Sequence, residues 1–125
     1  MIINYLAGRF KSIRYAFGGV LELLRKEKNT RVYLFFTAAA VIMGLITQIT
    51  KLEWLVIVLI ISAIWSAEAI NSAIERTVDL VTLEKKPLAK AAKDLAAGGV
   101  LILAAGSVVI GLIIFLPKLV TILFH

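Results

Sequence analysis

The chain has 125 residues, of which 61% are hydrophobic and 18% are charged, and its formal net charge is +6. A soluble domain is about half apolar and about a quarter charged, so this composition excludes an ordinary water-soluble fold and predicts a single domain embedded in a membrane. The sequence has no cysteine, and its one histidine, His125, is the last residue, so neither disulfides nor thiolate or histidine metal sites are expected. The positive charge fits the Lys and Arg excess on the cytoplasmic side of membrane proteins better than nucleic-acid binding.

The first predicted element is an amphipathic helix over residues 1–30. Its apolar residues recur at alternating steps of four and three, as they do along one helical face: Leu6, Phe10, Ile13, Phe17, Val20 and Leu24. Basic residues lie on the flanks and back of this stripe. Such a helix, next to membrane spans, is expected to lie on the membrane surface in the headgroup region; a coiled-coil seam is the alternative interpretation.

Three transmembrane helices are predicted next, at about residues 31–50, 54–79 and 95–118, which makes the fold class all-α. The connection between the first two, residues 50–53, is very short and predicts a helical hairpin. The second connection, at about residues 80–94, is longer and polar, and Pro87 is suited to begin a short helix within it.

The distribution of basic residues predicts the orientation. Twelve of the 14 Lys and Arg residues fall within residues 1–31 and 76–94, and two fall in the first loop and the C-terminal tail. Since three spans alternate sides, the N-terminus and the second loop are expected in the cytoplasm and the C-terminus outside.

The second span runs directly into a charged stretch, EAINSAIERTVD at residues 68–79. On a helix, Glu68, Asn71, Glu75 and Asp79 fall within an arc of roughly 80° and form one polar stripe. A hydrocarbon core of about 30 Å that starts near Trp54 ends about 20 residues later. Glu75 is then expected at the cytoplasmic boundary, Glu68 two helical turns deeper, and Asp79 in water.

A carboxylate at the depth of Glu68 costs a few kcal/mol, roughly, and needs a reason. The structural interpretation is a glutamate that a neighbouring helix satisfies. The functional one, favoured because Asn71 and Glu75 continue the polarity, is a general base for a lipid hydroxyl that arrives within the bilayer.

Glu75 at the boundary is a candidate ligand for Mg²⁺, which typically uses one or two carboxylates together with substrate phosphates. Glu27, expected at the same cytoplasmic level, is a second candidate, although an ordinary surface charge is the simpler reading of it alone. Lys93 could meet a phosphate or serve as a positive-inside anchor. No G-x-x-x-x-G-K-[ST] loop occurs. These residues by themselves therefore predict a carboxylate site that acts on a lipid or an ion, and they do not indicate a nucleotide.

The motifs themselves add to this. The sequence EAINSAIERTVD, followed by KPLAKAAKDLAAGGV and IGLIIFLPKL, resembles the prokaryotic diacylglycerol kinase family, and within it most resembles the undecaprenol kinase branch of Gram-positive bacteria. The pattern E-x-x-N-[ST]-[SA]-x-E-x-x-V-D is met at every fixed position, and the resemblance covers nearly the whole chain.

The resemblance implies a homotrimeric kinase of the bacterial cytoplasmic membrane that transfers the γ-phosphate of Mg-ATP to a lipid alcohol. It implies Glu68 as catalytic base, Glu27 and Glu75 as magnesium ligands, and Asn71 and Asp79 as supporting residues. The residues implied in ATP binding are Tyr15, Glu27, Glu75, Glu84, Lys85, Lys86, Lys93 and Asp94. Arg31, together with Glu68, is a candidate for contact with the lipid substrate.

Three alternatives remain open from the sequence. Diacylglycerol could replace undecaprenol as the substrate, since both present an apolar tail and one hydroxyl. A small proton-coupled exporter could use Glu68 to bind protons and cations. A non-enzymatic assembly protein could use the polar stripe only to join helices.

Overall fold

The computed structural model describes residues 2–27 and 29–124, and the side chains of residues 9–25, 27 and 29–124. Met1, Lys28 and His125 lie outside this description. All regular structure in the described residues is helical, which confirms the predicted all-α class. The helices are α1 (Ile2–Lys26), α2 (Thr30–Ile46), α3 (Lys51–Val81) and α4 (Pro87–Phe124). The chain divides into two compact units, Met1–Val32 and Tyr33–His125.

In the first unit, α1 presents the predicted apolar stripe to its surroundings. The described stripe residues are between 39% and 72% exposed: Phe10, Ile13, Phe17, Val20 and Leu24. The side chain of Leu6 lies outside the described ones. An apolar stripe left this exposed fits a helix that inserts one face among lipid headgroups. After α1, the hydroxyl of Thr30 donates to the carbonyl oxygen of Leu23 at 2.7 Å, in a buried position.

The connection between α2 and α3 lies earlier than residues 50–53. Helix α2 ends at Ile46, and residues 51–53 form the first turn of α3. Thr50 and Glu53 make a capping box: the Glu53 N–H donates to Thr50 Oγ1 at 3.3 Å, and the Thr50 N–H donates to Glu53 Oε2 at 2.6 Å. Gln48, at φ 49°, takes the left-handed conformation that reverses the chain. The prediction of a loop at residues 50–53 is therefore wrong, because Thr-x-x-Glu is a capping-box sequence that starts a helix.

A small hydrophobic core lies at the connection between α2 and α3, at the other end of α3 from the polar stripe. Ile49, Ile57 and Ile114 are buried together, and Trp54 packs against them. Glu53, besides its cap, forms an ion pair with Lys118 of α4 at 3.2 Å. The start of α3 is therefore fixed to α4 by both apolar and charged contacts.

Gly44 allows the close approach of α2 to this core. A Cβ at this position would lie 2.7 and 2.8 Å from two carbon atoms of the Trp54 ring and 3.0 Å from Ile49 Cδ1. The rigid indole would have to shift, which typically costs about 1–3 kcal/mol, while alanine regains up to about 1 kcal/mol of helix preference.

We therefore expect Gly44→Ala to destabilise the protein by about 1 kcal/mol net, measured by thermal unfolding in detergent micelles. The matched control is Gly99→Ala, because an added Cβ there meets no atom within 4 Å among the described residues. A melting temperature of Gly44→Ala equal to or above that of Gly99→Ala would contradict the tight packing.

The predicted short helix after Pro87 and the third span form a single helix. Helix α4 runs without a break from Pro87 to Phe124, through Gly98, Gly99 and Pro117. The stretch LAKAAKDLAA consists almost entirely of good helix formers, so a separate short element has no reason to end before the span. The second connection therefore shrinks from the predicted residues 80–94 to residues 82–86.

Within residues 2–27 and 29–124, two helices, α3 and α4, are long and apolar enough to cross a membrane. Helix α2 has 17 residues, near the lower limit of about 17–25 for a spanning helix. The apolar helices thus support the prediction of a membrane protein. The count of three spans stays a prediction.

Candidate active site

The predicted polar stripe is present on α3, and its burial is graded along the helix. Glu68 is 3% exposed and Asn71 is 7% exposed, whereas Glu75 is partly buried and Asp79 is exposed. Glu68 is the least exposed acidic side chain in the described part of the chain. A carboxylate this buried within a spanning helix requires polar partners.

Tyr33 of α2 supplies one partner for Glu68. The Tyr33 hydroxyl donates to Glu68 Oε2 at 3.1 Å. The Tyr33 ring meets the Trp65 ring edge-on, with centroids 5.9 Å apart, and Trp65 Nε1 donates to Thr37 Oγ1 at 3.2 Å. This network fixes the Glu68 carboxylate between α2 and α3.

Sequence reasoning missed Tyr33, Thr37 and Trp65. A usable signal existed, because residues four apart on α2 and three apart on α3 share a helical face and can meet across a hairpin. The spacing marks Tyr33 and Thr37 as possible partners of Trp65 and Glu68, but it does not give the register that brings them together.

Asn71 links the buried and the exposed parts of the stripe. Its Nδ2 donates to Glu75 Oε1 at 3.2 Å, so that Asn71 orients Glu75 from one turn deeper. The other polar atom of the amide, Oδ1, and Oγ of the neighbouring Ser72 are buried without a hydrogen-bond partner in the described structure. Ser72 was also missed by sequence reasoning. Two orphaned polar atoms beside Glu68 are unusual and indicate a site that further groups complete.

Asp79 and Lys93 tie the ends of α3 and α4 together. Lys93 Nζ lies 2.5 Å from Asp79 Oδ1, and both side chains are partly exposed. Asp94 pairs instead with Lys90, one helical turn earlier, at 2.5 Å. Exposed pairs like these contribute little to stability, so they can be exchanged for a ligand at low cost.

A cleft of about 670 Å³ opens where α3 meets α4. Its lining includes five of the residues that the resemblance implies in ATP binding, namely Glu84, Lys85, Lys86, Lys93 and Asp94, together with Asp79 and Lys90. Lys86 pairs with Glu84 at 3.3 Å on its rim. The structure thus brings these predicted residues together around one cleft whose lining carries four lysines.

Three predicted site residues belong to the first unit. Tyr15 is 61% exposed, with Lys11 Nζ 5.9 Å from the centroid of its ring. Glu27 is partly buried and Arg31 is exposed. Their part in the site stays a prediction.

The donor set near Glu75 is compatible with Mg²⁺. Within the described residues, no three acidic or histidine side chains come together as a metal cage. Mg²⁺ seldom uses such a cage, because it keeps waters and substrate phosphates as ligands beside one or two carboxylates. Glu75, oriented by Asn71 and partly exposed, has the chemistry for this arrangement.

Comparisons with known proteins show which family the chain resembles. Residues 14–115 match the sequence pattern of the family described as prokaryotic diacylglycerol kinase. An undecaprenol kinase from Bacillus subtilis is 46% identical over 93% of this chain and 94% of its own. Diacylglycerol kinases from Synechocystis and Pseudomonas aeruginosa are 32% and 31% identical, over 90% and 65% of this chain and 65% and 66% of their own lengths.

The matched family and these relatives define the class of protein as a lipid kinase. More specifically, the chain belongs to the prokaryotic diacylglycerol kinase family. This confirms the predicted family and the prediction of an enzyme. The exporter and assembly-protein alternatives receive no support from these relatives.

Proposed function

We propose that this protein transfers the γ-phosphate of ATP to undecaprenol and releases undecaprenyl phosphate and ADP. The observation that carries the proposal is the buried carboxylate of Glu68, which lies on the same polar stripe as Glu75. It accepts a hydrogen bond from the Tyr33 hydroxyl. The similarity to an undecaprenol kinase over nearly the full length of both chains supports the choice of lipid.

In this reaction Glu68 is the general base. Its carboxylate accepts the proton from the lipid hydroxyl as the lipid oxygen bonds to the γ-phosphorus. The bond between that phosphorus and the β,γ-bridging oxygen breaks, and ADP leaves with the bonding electrons. Tyr33 holds the Glu68 carboxylate in place throughout the reaction. The burial of Glu68 keeps bulk water away from the reacting hydroxyl.

Glu75 and Glu27 would hold Mg²⁺ at the cytoplasmic boundary, with Asn71 orienting Glu75. When bound, the ion would offset the negative charge of the ATP phosphates. Since Glu68 and Glu75 lie two turns apart on one face, the lipid hydroxyl and the nucleotide would meet at adjacent depths.

The cleft between α3 and α4 is the proposed nucleotide site. Lys85 and Lys86 line it from the loop and Lys93 from α4, so they can contact phosphates, with Glu84, Asp94 and Tyr15 completing the contacts to ATP. Lys93 exchanges Asp79 for phosphate when the nucleotide binds, and Asp79 then supports the site by hydrogen bonding.

The proposed assembly is a homotrimer in the bacterial cytoplasmic membrane, with the N-terminus in the cytoplasm and the C-terminus outside. One observation supports more than one chain per site, since Asn71 Oδ1 and Ser72 Oγ lack partners in the described single chain. The predicted three spans are also too few to enclose a site alone. Arg31 is the proposed further contact to the lipid.

Diacylglycerol is the second candidate substrate. The specific observation in its favour is that other relatives, at 31–35% identity, are diacylglycerol kinases. Its product would be phosphatidic acid.

The deciding experiment supplies purified protein in mixed micelles with γ-labelled ATP, Mg²⁺ and either lipid. We expect label in undecaprenyl phosphate, with a higher kcat/KM than for diacylglycerol. Stronger labelling of diacylglycerol would transfer the assignment to the second candidate. Labelling of neither lipid would contradict the kinase assignment.

A further inference from the structure

An aromatic pair stands next to the proposed base, on the side away from the cytoplasm in the proposed orientation. Trp65 precedes Glu68 by three residues, which places it about 4.5 Å deeper along α3 on a neighbouring part of the same face. Tyr33 contacts both, through its hydroxyl to Glu68 and its ring to Trp65. Building on the proposed function, we propose that Tyr33 and Trp65 select a polyprenol over a diacylglycerol.

The two rings offer no unengaged hydrogen-bond donor to the ester groups of a diacylglycerol. The polar hydrogens of both rings are already used inside the protein: the Tyr33 hydroxyl donates to Glu68 and the Trp65 indole N–H donates to Thr37. A diacylglycerol carries two ester carbonyls within a few bonds of its hydroxyl. With the hydroxyl at Glu68, those carbonyls would lose water beside donors that are already engaged, which is unfavourable.

The shape of a polyprenol also suits this aromatic pair. Beyond its hydroxyl a polyprenol presents only hydrocarbon, and the double bond makes its first isoprene unit flat. A flat apolar group packs well against an aromatic ring. The hydrogen bond to Thr37 Oγ1 holds the Trp65 ring in one orientation, so that little conformational freedom is lost on binding. Trp65 is only partly buried, which leaves part of its surface for this contact.

Two substitutions separate the effect of ring shape from the effect of the engaged hydrogen-bond donors. Trp65→Leu removes the flat ring and should lower kcat/KM for undecaprenol, so that the undecaprenol-to-diacylglycerol ratio falls about tenfold, the scale of selectivity available from an apolar contact. Thr37→Val removes the acceptor of the indole N–H and leaves that donor for an ester carbonyl. It should raise kcat/KM for diacylglycerol several-fold.

The matched control is Ser62→Ala, which removes an exposed hydroxyl from the same helix that bonds to the carbonyl of Val58. Its lipid ratio should equal that of the wild type. The readout is kcat/KM for each purified lipid at saturating Mg-ATP, with the KM for ATP unchanged in all three variants.

An unchanged lipid ratio in both Trp65→Leu and Thr37→Val overturns the selection role and leaves the kinase assignment intact. An equal loss of kcat/KM with both lipids in Trp65→Leu counts as an unchanged ratio. If Trp65→Leu fails to fold, the near-isosteric Thr37→Val decides alone. A wild-type protein that phosphorylates neither lipid refutes the proposed function instead, and one that prefers diacylglycerol refutes both.

Discussion

Replacing Glu68 with glutamine is expected to reduce lipid phosphorylation by about 10²–10⁴-fold, the usual contribution of a general base. The amide has the size of the carboxylate, and its oxygen can still accept the hydrogen bond from Tyr33, so the helix packing should persist. It cannot take the proton of the lipid hydroxyl. Transfer of γ-labelled phosphate to undecaprenol measures the loss, and equilibrium binding of Mg-ATP should remain close to wild type.

The matched control is Glu53→Gln, which makes the same change on the same helix. Glu53 caps α3 and pairs with Lys118 at the far end from the stripe. This variant should lose some thermal stability and keep its turnover. Turnover that survives in Glu68→Gln would remove the base from the mechanism and favour a purely structural role for the buried carboxylate.

The stripe on α3 was predictable from the sequence for a physical reason. A single apolar segment of this length that spans the bilayer is helical, because its backbone N–H and C=O groups find no hydrogen-bond partner in the lipid and must bond to each other. Helical geometry alone then places Glu68, Asn71, Glu75 and Asp79 on one face. Neither inference requires knowledge of how the helices pack, whereas the graded burial of the four side chains depends on that packing.

The partners of these residues could not be predicted in the same way. Tyr33 lies 35 residues from Glu68, and Lys93 lies 14 residues from Asp79, so each contact depends on how two helices are paired and in which register. The sequence indicated Lys93 as a phosphate contact but gave no sign of its ion pair with Asp79. A local pattern identifies a charged residue, whereas its partner is a property of the packed hairpin.

Some helix boundaries can be predicted from the local sequence and others cannot. The start of α3 was encoded locally, in the Thr50–Glu53 capping box, and was open to prediction. The continuous α4 depends on the absence of a strong break between Pro87 and the apolar segment. Polar composition at about residues 80–94 predicted a connection with a short helix after Pro87, but good helix formers continue a helix into water as readily as into a membrane.

Replacing Glu75 with glutamine is expected to weaken Mg-ATP binding itself, by about tenfold or more, because even groups that only support a metal site contribute 10–100-fold to affinity. The amide keeps an oxygen that can accept from Asn71 Nδ2, but it lacks the charge that favours a divalent cation. Titration of Mg-ATP by isothermal calorimetry measures the affinity, and Glu53→Gln again serves as the control.

The dependence on magnesium separates Glu75 from Glu68. A weakened metal site is filled again at higher ligand concentration, so raising free Mg²⁺ should restore part of the activity of Glu75→Gln. It should restore none in Glu68→Gln, because the missing step there is a proton transfer. If the two variants bind Mg-ATP equally well and respond equally to Mg²⁺, the proposed division between a buried base and a metal ligand at the membrane boundary is wrong.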